Sequence, residues 1–350
     1  MRILQVITLC DLGGAQSVVV NLANKLCQKH EIVVVAGEGS GKMWDLLDPT
    51  IITERIPYLH RELVPLDELR VIIALKKLYS KYKPDIIHLH SSKVGVLGRL
   101  VFPKLKVLYT IHGFDSIRIA YRKYLPIEKA LQQRCQAIVG VSKYDVNNLR
   151  EESIVNNVSC IYNGVSLSVR PVSNPFSHIK GYSGKVLCIA RLSPPKRADL
   201  FIQVASLLPQ YAFIWVGNQE EVQLQYPTNV FFLGNIPNAG IYNEFVDLLM
   251  LPSDYEGLPM VIIEALACGK PIVASAVGGI PELLNGENGF AVNNDAKIMA
   301  DKINLILSDE YLKKNMGFAA KRTYLEYFTV DRMVEEYMTI YDRIYKLNHC

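Results

Sequence analysis

The sequence predicts an α/β protein of two domains, each a doubly wound parallel sheet with helices on both faces. The N-terminal segment passes from strand to glycine turn to helix to strand, which is the pattern of one βαβ unit. A segment rich in proline, glycine and serine, 168–184, then separates this half from a second half that again begins with a strand. With 350 residues, half of them apolar, the chain can form two ordinary cores. We therefore expect an N-terminal domain over 1–170 and a C-terminal domain over 184–323.

The first predicted strand, 3–9, leads into a turn that contains Gly13 and Gly14. Because glycine has no Cβ, the backbone of this turn can approach a ligand closely at the carboxyl end of the strand, where parallel sheets bind ligands. A tight turn that binds nothing is the alternative. A nicotinamide-dinucleotide domain would carry Gly-x-Gly-x-x-Gly here, and the absence of that pattern weighs against an oxidoreductase.

Three histidines accompany the next strands of the first half. His88 and His90 share one face of the strand over 84–90, and His112 follows a strand that begins near residue 107. A His-x-His pair could start a metal site, but no acidic or cysteine partner is evident, so a structural role is favoured. His90, at the strand end, could still line a ligand site. His112 lies just past its strand's carboxyl end, so a ligand-binding role is favoured for it.

Basic and apolar residues alternate over 118–134. This composition predicts a surface helix that could contact anionic lipid. The alternative, which the sequence favours, is the solvated face of a packed helix. The tail, from about residue 324 onwards, is also predicted to be helical.

The second half begins with a strand pattern from residue 185 that ends just before Arg191. Lys196 stands five residues further on, ahead of a helix predicted over 200–208, and Arg197 is a weaker third cation. Two cations at the carboxyl edge of a sheet can neutralise a diphosphate, most of all when negative charge builds on a leaving group. A basic surface turn without a ligand is the alternative.

Two glutamates flank one predicted helix N-terminus in the second half. Glu256 lies in the loop before the helix and Glu264 lies one to two turns inside it, with Pro259 suited to the first turn. A helix N-terminus favours an anion such as phosphate, and carboxylates accept hydrogen bonds from hydroxyl groups. Phosphate and hydroxyls together describe a nucleotide sugar, whereas two solvated glutamates on an ordinary amphipathic helix are the alternative.

These glutamates stand within a longer string that carries a family resemblance. The string joins Glu-Gly-Leu-Pro from Glu256, Glu-Ala-Leu-Ala-Cys-Gly-Lys-Pro from Glu264, and Gly-Gly-Ile-Pro-Glu from Gly278. It resembles the signature of retaining glycosyltransferases of the GT-B fold, family 4. The resemblance covers nearly the whole chain and is stronger in the second half. It implies two Rossmann-like domains facing a central cleft, with a C-terminal helix, about 324–350, packing back on the first domain.

The resemblance also implies a role for each matching position. Glu264 would hold ribose hydroxyls, Glu256 would hold hydroxyls of the donor sugar, and Arg191 and Lys196 would bind the diphosphate. His112 and Glu256 would act with these two cations at the reacting centre. Further donor contacts are implied for Gly14, Leu233, Gly234, Asn238, Gly257, Leu258, Pro259 and Met260, and acceptor-side contacts for Gly13, Gln16 and His90.

No cofactor is expected beyond the nucleotide-sugar substrate, for which UDP is the favoured nucleotide. The chain has no Asp-x-Asp motif, and Arg191 and Lys196 can supply the positive charge of a metal. We therefore expect metal-independent transfer, and the family resemblance implies retention of anomeric configuration. The acceptor implied by the resemblance is a glycan or lipid-linked glycan of a bacterial surface polysaccharide or glycoconjugate.

Composition limits where the chain works and what it binds. No apolar run approaches the ~20 residues of a membrane span, and the N-terminus lacks a signal-peptide pattern. Seven scattered cysteines are typical of a reduced cytoplasmic chain, and a net charge of +4 does not indicate a nucleic-acid partner. We expect a cytoplasmic protein, with peripheral contact to the inner face of an anionic membrane as an option.

Two other functions remain open at this point. A nucleotide-sugar epimerase on the same fold would release free epimerised sugar without an acceptor. A nucleotide-sugar-binding protein could keep the site and lack catalysis, although the intact set of predicted site residues argues against that.

Overall fold

The computed structural model describes residues 1–166, 173–218 and 222–349. The chain divides into two compact units, of which the first combines Met1–Gly164 with Thr329–Cys350 and the second spans Val165–Phe328. The part of the predicted linker over 168–172 lies outside the described residues. The chain therefore passes from the first unit to the second once and returns once.

Each unit contains one parallel sheet, as predicted. The strands are β1 Arg2–Ile7, β2 Glu31–Ala36, β3 Ile52–Arg55, β4 Ile86–His90, β5 Val107–Ile111, β6 Ala137–Gly140, β7 Val158–Cys160, β8 Lys185–Ile189, β9 Ala212–Val216, β10 Val230–Phe232, β11 Leu248–Leu251, β12 Ile272–Ser275 and β13 Gly289–Val292. The helices are α1 Gly14–Leu26, α2 Pro65–Tyr82, α3 Ser92–Val101, α4 Leu125–Leu131, α5 Lys143–Glu151, α6 Ala198–Leu207, α7 Met260–Ala267, α8 Ile280–Leu283, α9 Ala296–Leu307, α10 Glu310–Tyr327 and α11 Val330–His349.

The first sheet has the strand order β3-β2-β1-β4-β5-β6-β7. Its order reverses between β1 and β4, which pair in register from Ile3 opposite Ile86 to Ile7 opposite His90. The five inner strands are almost entirely buried because helices cover both faces, whereas the edge strands β3 and β7 are only partly buried. The turn after β1 and the end of β4 therefore lie side by side at the reversal point, where doubly wound sheets bind ligands.

The second sheet has the strand order β10-β9-β8-β11-β12-β13. Its order reverses between β8 and β11, which pair through Leu248 opposite Val186 and Leu249 opposite Leu187. The loop after β8 carries the predicted cations and the loop after β11 carries Glu256. The topology alone thus brings the two halves of the predicted donor site to one sheet edge.

The helical tail is divided where the chain returns to the first unit. Helix α10 ends at Tyr327 and α11 begins at Val330, with the buried Phe328 between them. Residues 324–327, at the start of the predicted C-terminal helix, thus belong to the second unit. Helix α11 packs on the first unit, where Asp331 forms an ion pair with Lys25 at 2.6 Å.

The predicted surface helix over 118–134 is wrong. The structure instead has a short π-helix at Ser116–Ala120, separate 3-10 turns, and the short helix α4 between them. Pro126 lacks a backbone N–H, and a single helix through this segment would leave a hydrogen bond unmade, so the helix starts again at Leu125.

None of the helices in the described part of the chain is both long enough and apolar enough to span a membrane.

Candidate functional site

The first part of the site lies at the reversal point of the second sheet. Lys196, in the loop after β8, forms an ion pair with Oε1 of Glu256, in the loop after β11. The hydroxyl of Ser253 donates to the same carboxylate oxygen at 2.7 Å. The backbone N–H of Asp254 donates to the carbonyl of Pro195 at 2.8 Å, so the two loops are joined by backbone as well as by charge.

A buried polar network holds the loop after β11. Ser253 donates its N–H to the hydroxyl of Ser275 at 2.8 Å, and that hydroxyl in turn donates to the amide oxygen of Asn294. Asn294 closes the ring by donating to the Ser253 carbonyl at 2.9 Å. The sequence analysis missed all three residues. Ser253 and Ser275 stand at the ends of adjacent strands, which is the same signal that identified Arg191.

The two arginines of the loop after β8 differ in their surroundings. Arg197 is engaged with Asp199 and with Asp254, which fixes the loop to the neighbouring strand end. Arg191 is exposed, and among the residues that the structure describes no ion pair involves it. Its guanidinium is therefore available to an anionic ligand, and Arg197 acts as a structural residue.

Helix α7 carries Glu264 in its second turn. Pro259 stands one residue before the first helical residue, at the N-cap, and not inside the first turn. Glu264 is half-buried, and burial raises the pKa of its carboxyl to about 7. Its carboxylate lies against Gly240, where a Cβ would come within 2.4 Å of Oε2. Glycine at that position leaves the space that the carboxylate occupies.

The loop that precedes helix α8 packs directly on the segment that contains Glu256. Gly278 has a left-handed φ of +58°, and a Cβ there would lie 1.7 Å from the carbonyl oxygen of Glu256. The N–H of Gly279 donates to the carbonyl of Gly257 at 2.9 Å. Only a residue without a side chain allows this approach at position 278, which explains the first of the two glycines of the motif.

The segment after β10 continues the same surface. Leu233 donates its N–H to the carbonyl of Trp215 at 3.0 Å, and Gly234, with φ +72°, donates to the side chain of Asn218 at 2.8 Å. Asn238 adopts a left-handed conformation and opens the 3-10 helix that contains Gly240. Through Gly240 this segment reaches Glu264.

In the first unit, taken by itself, the predicted site residues begin with the turn after β1. Helix α1 begins at Gly14, and Gly13 precedes it with extended backbone. The side chain of Gln16 donates to the carbonyl of Leu9 at 3.1 Å, and a Cβ on Gly13 would lie 2.9 Å from the Gln16 amide oxygen. A side chain at position 13 would therefore only require the flexible end of Gln16 to move, and the extended backbone there is open to any residue.

His112 follows β5 and is half-buried in the first unit. Gly113 comes next with φ +105°, and the N–H of Phe114 donates to the buried carboxylate of Asp145 at 2.7 Å. Burial lowers the pKa of His112 to about 4, so the imidazole is neutral at physiological pH. The sequence analysis missed Asp145, which fixes the turn in which His112 stands.

His90 does not lie where an acceptor-side residue was expected. Its side chain is fully buried behind His112, and its Nδ1 is 3.2 Å from Nε2 of His112. His88 is likewise buried, with both ring nitrogens bonded to hydroxyl groups. In the described residues no group of three or more His, Cys, Asp or Glu side chains could hold a metal ion.

Two family models match the chain. One, described as Glycosyltransferase Family 4, matches residues 12–169, and one, described as Glycosyl transferases group 1, matches residues 183–309. The chain belongs to glycosyltransferase family 4. It is an enzyme of the hexosyltransferase type.

Several characterised proteins are similar to this family 4 glycosyltransferase. The O-antigen biosynthesis glycosyltransferase WbnH of Escherichia coli is 29% identical over 87% of this chain and 89% of its own. The UDP-Gal:alpha-D-GlcNAc-diphosphoundecaprenol alpha-1,3-galactosyltransferase of Escherichia coli is 28% identical over 86% of each chain. Among solved structures, Anabaena Alr3699/HepE in complex with UDP and glucose superposes with a TM-score of 0.83 at 21% identity, covering 97% of this chain and 98% of its own. This likeness confirms the GT-B fold.

The structure brings the predicted residues of this glycosyltransferase into two groups. Lys196, Glu256, Glu264 and Arg191 stand on or next to one edge of the second sheet. The other members of this group are Gly257, Leu258, Pro259, Met260, Leu233, Gly234 and Asn238. His112, His90, Gly13, Gly14 and Gln16 stand at the corresponding edge of the first sheet.

Proposed function

We propose that this glycosyltransferase moves a hexosyl residue from a UDP-sugar to a glycan or lipid-linked glycan during synthesis of a bacterial surface polysaccharide. The observation that carries the proposal is the direct contact of Lys196 with Glu256 at the reversal point of the second sheet. A cation for phosphate and a carboxylate for hydroxyl groups meet there, ahead of a helix that carries a second carboxylate. The named activities of the Escherichia coli relatives support the substrate classes.

Each part of the nucleotide-sugar donor is assigned its own set of residues. Arg191 and Lys196 neutralise the diphosphate, and backbone N–H groups over Gly257, Leu258 and Met260 meet phosphate or sugar oxygens. Glu256 accepts from hydroxyls of the sugar and Glu264 from those of the ribose. The base rests on Leu233, Gly234 and Asn238, while Gly14 and His112 approach the donor sugar and Gly13 and Gln16 the acceptor.

The two cations contribute most when the glycosidic bond breaks. A hydroxyl oxygen of the acceptor forms a bond to the anomeric carbon while the bond from that carbon to the diphosphate oxygen breaks. The acceptor proton passes to the departing phosphate on the same face, so the configuration is retained and UDP leaves. Fixed positive charge at the diphosphate stabilises this departure without a metal ion.

Transfer from radiolabelled UDP-sugars to undecaprenyl-diphosphate-linked glycans tests the proposal. We expect Lys196→Ala, Glu256→Ala and Glu264→Ala each to lower turnover by roughly 100-fold or more. Lys313→Ala is the control, because the Lys313 side chain is 20% exposed against 21% for Lys196 and is also paired with carboxylates. Near-normal turnover in all three variants would refute the assignment.

Three further arms of the same assay separate the alternatives. Activity is expected to survive excess EDTA, and loss that Mn²⁺ restores would contradict the metal-free proposal. Release of epimerised sugar without an acceptor would indicate the epimerase. Binding of UDP without turnover for any donor would indicate a binding protein.

We also propose peripheral contact with the inner face of the cytoplasmic membrane. The supporting surface is the exposed side of α2, defined here as Leu66, Leu69 and Ile73, each more than half exposed. These residues recur at helical spacing, and Lys76 and Lys77 extend the same exposed side toward the C-terminus. Apolar residues bordered by cations fit an anionic bilayer surface.

A further inference from the structure

A buried chain of rings and hydroxyls runs inward from His112 in the first unit. It passes from His112 to His90 and His88 and ends on Thr110, Tyr337 and Tyr341. Both tyrosines belong to α11, the helix that returns to this unit. The proposed transfer reaction uses only the outermost member of this chain.

The inner end of the chain is fixed. Nδ1 of His88 lies 2.7 Å from the Tyr341 hydroxyl, and its Nε2 lies 2.7 Å from Oγ1 of Thr110. Thr110 is 3.0 Å from the Tyr337 hydroxyl, which gives the network a second attachment to α11. Because both nitrogens of His88 are engaged, its ring cannot turn without losing a buried hydrogen bond.

The outer end has a single shared hydrogen bond. The ring centroid of His90 lies 3.7 Å from that of His88 and 5.5 Å from that of His112, with the latter pair stacked at 22°. One proton lies between His90 Nδ1 and His112 Nε2. The remaining nitrogens, His90 Nε2 and His112 Nδ1, are buried without a hydrogen-bond partner in the described residues.

We propose that His90 is a positioning residue for His112. The shared hydrogen bond and the stacked rings hold the His112 imidazole in one orientation, and the direction of that hydrogen bond sets the tautomer of His112. The tyrosines of α11 support His90 from behind through His88. This inference rests on the proposed function in so far as His112 meets the donor sugar.

Geometry explains why a buried histidine suits this task. A neutral imidazole has one donor and one acceptor nitrogen, so the direction of the bond between His90 Nδ1 and His112 Nε2 determines whether Nδ1 of His112 is a donor or an acceptor. His90 can engage it only if its own ring is fixed, and the close contact with the His88 ring, tilted by 38° at 3.7 Å between centroids, provides that. An imidazole free to rotate would present either nitrogen to the ligand and would meet the donor correctly only part of the time.

Two substitutions of similar size separate positioning from packing. His90→Leu removes the hydrogen bond, whereas His90→Asn keeps a hydrogen-bonding group at the δ position. We expect His90→Leu to lower kcat by roughly 10- to 100-fold with little change in donor KM, and His90→Asn to restore much of it. His349→Gln, on the exposed end of α11, is the control and should match the wild type.

A spectroscopic measurement tests the inference without an activity assay. In ¹⁵N-histidine protein, His112 should give the chemical shifts of a single tautomer, identified by their absence in His112→Gln. In His90→Leu the two nitrogen shifts should move toward an average of both tautomers. His90→Phe, which keeps a ring at this position, serves the same comparison if the leucine variant does not fold.

The outcomes distinguish this inference from the proposed function. Unchanged His112 shifts in both His90→Leu and His90→Phe, or equal kcat for the leucine and asparagine variants, would overturn the positioning role. If the shifts move as expected but the wild type transfers no sugar, the positioning role stands and the proposed function fails.

Discussion

Glu264 combines the ligand-binding role that we propose for it with a cost in stability. Burial in α7 raises the pKa of its carboxyl from the ordinary 4.5 to about 7. Because the folded state favours the protonated form, the stabilising contribution is complete below about pH 4.5 and is lost as the pH rises through 7. The ionised form, which is the better hydrogen-bond acceptor for the ribose hydroxyls of the proposed donor, is therefore the less stable one in the ligand-free protein.

The first prediction at this scale is that UDP affinity depends on the protonation of Glu264. Wild-type affinity should fall by about 10-fold between pH 8 and pH 6, because a carboxyl with a pKa near 7 goes from mostly ionised to mostly protonated. In Glu264→Gln the affinity should be low and independent of pH. Calorimetric titration with UDP measures both.

The same substitution should raise thermal stability at pH 8. Glu264→Gln removes the buried charge, and a gain of about 1 kcal/mol would raise the melting temperature by roughly 2–4 °C for a domain of this size. Glu326→Gln, at an exposed position of α10, is the control and should change neither quantity. Wild-type affinity that does not vary with pH, or a Glu264→Gln variant that binds UDP normally at pH 8, would contradict this account.

At the scale of elements, the loop after β11 and the loop before α8 determine the geometry of the proposed donor site, and Gly278 is where they are in contact. Gly278→Ala places a methyl group against the carbonyl of Glu256 and should displace the segment that pairs with Lys196. We expect at least a 10-fold loss in kcat/KM, with destabilisation of more than the ~1–2 kcal/mol of left-handed backbone alone.

Gly286→Ala is the matched control for that change. Gly286 also has a left-handed φ, +87°, but nothing lies within 4 Å of the position its Cβ would take. Gly286→Ala should therefore lower the free energy of unfolding through backbone strain, but it should not reduce sugar transfer. Equal effects of the two substitutions in the transfer assay and in thermal unfolding would show that backbone strain, and not contact with Glu256, is responsible.

The periodicity of the strands and the positions of glycines in the turns were enough to predict the sheets and the sheet edge at which Arg191 and Lys196 lie. They could not predict the ring of Ser253, Ser275 and Asn294, because small polar residues far apart in sequence carry no periodic signal. The surface helix over 118–134 was wrong although Pro126 was visible in the sequence. The prediction gave more weight to the apolar and basic residues of the segment than to the backbone N–H that Pro126 lacks.

At the scale of the whole molecule, the chain's return to the first unit is part of that unit's interior. Tyr337 and Tyr341 of α11 are buried against β4 and β5 through His88 and Thr110. The sequence predicted a helical tail that packs back, but it could not reveal this contact, because the partners are more than 220 residues apart. The first unit therefore includes α11, which follows the whole of the second unit in the chain.

The membrane proposal belongs to this scale, and it has two candidate surfaces in the first unit. The α2 face has Lys76 and Lys77, which no ion pair engages within the described residues. In the segment over 118–134, Arg122 and Lys129 are both paired with Glu152, which reduces their attraction for anionic lipid. We therefore expect α2 to make the contact, at about 1 kcal/mol for each free cation near the surface.

Cosedimentation with vesicles containing phosphatidylglycerol tests this expectation. The wild type should bind these vesicles more strongly than pure phosphatidylcholine vesicles, and added salt should weaken binding because it screens the charges. Replacing Leu66, Leu69 and Ile73 together with serine should reduce binding by at least 10-fold, since it removes the apolar contact. The matched control replaces Ile119, Tyr121 and Ile127, which are also exposed, and should bind as the wild type does. If the control variant loses binding and the α2 variant keeps it, the membrane contact lies on the segment over 118–134. If the wild type does not bind anionic vesicles, the membrane proposal fails, while the result of the transfer assay is unaffected.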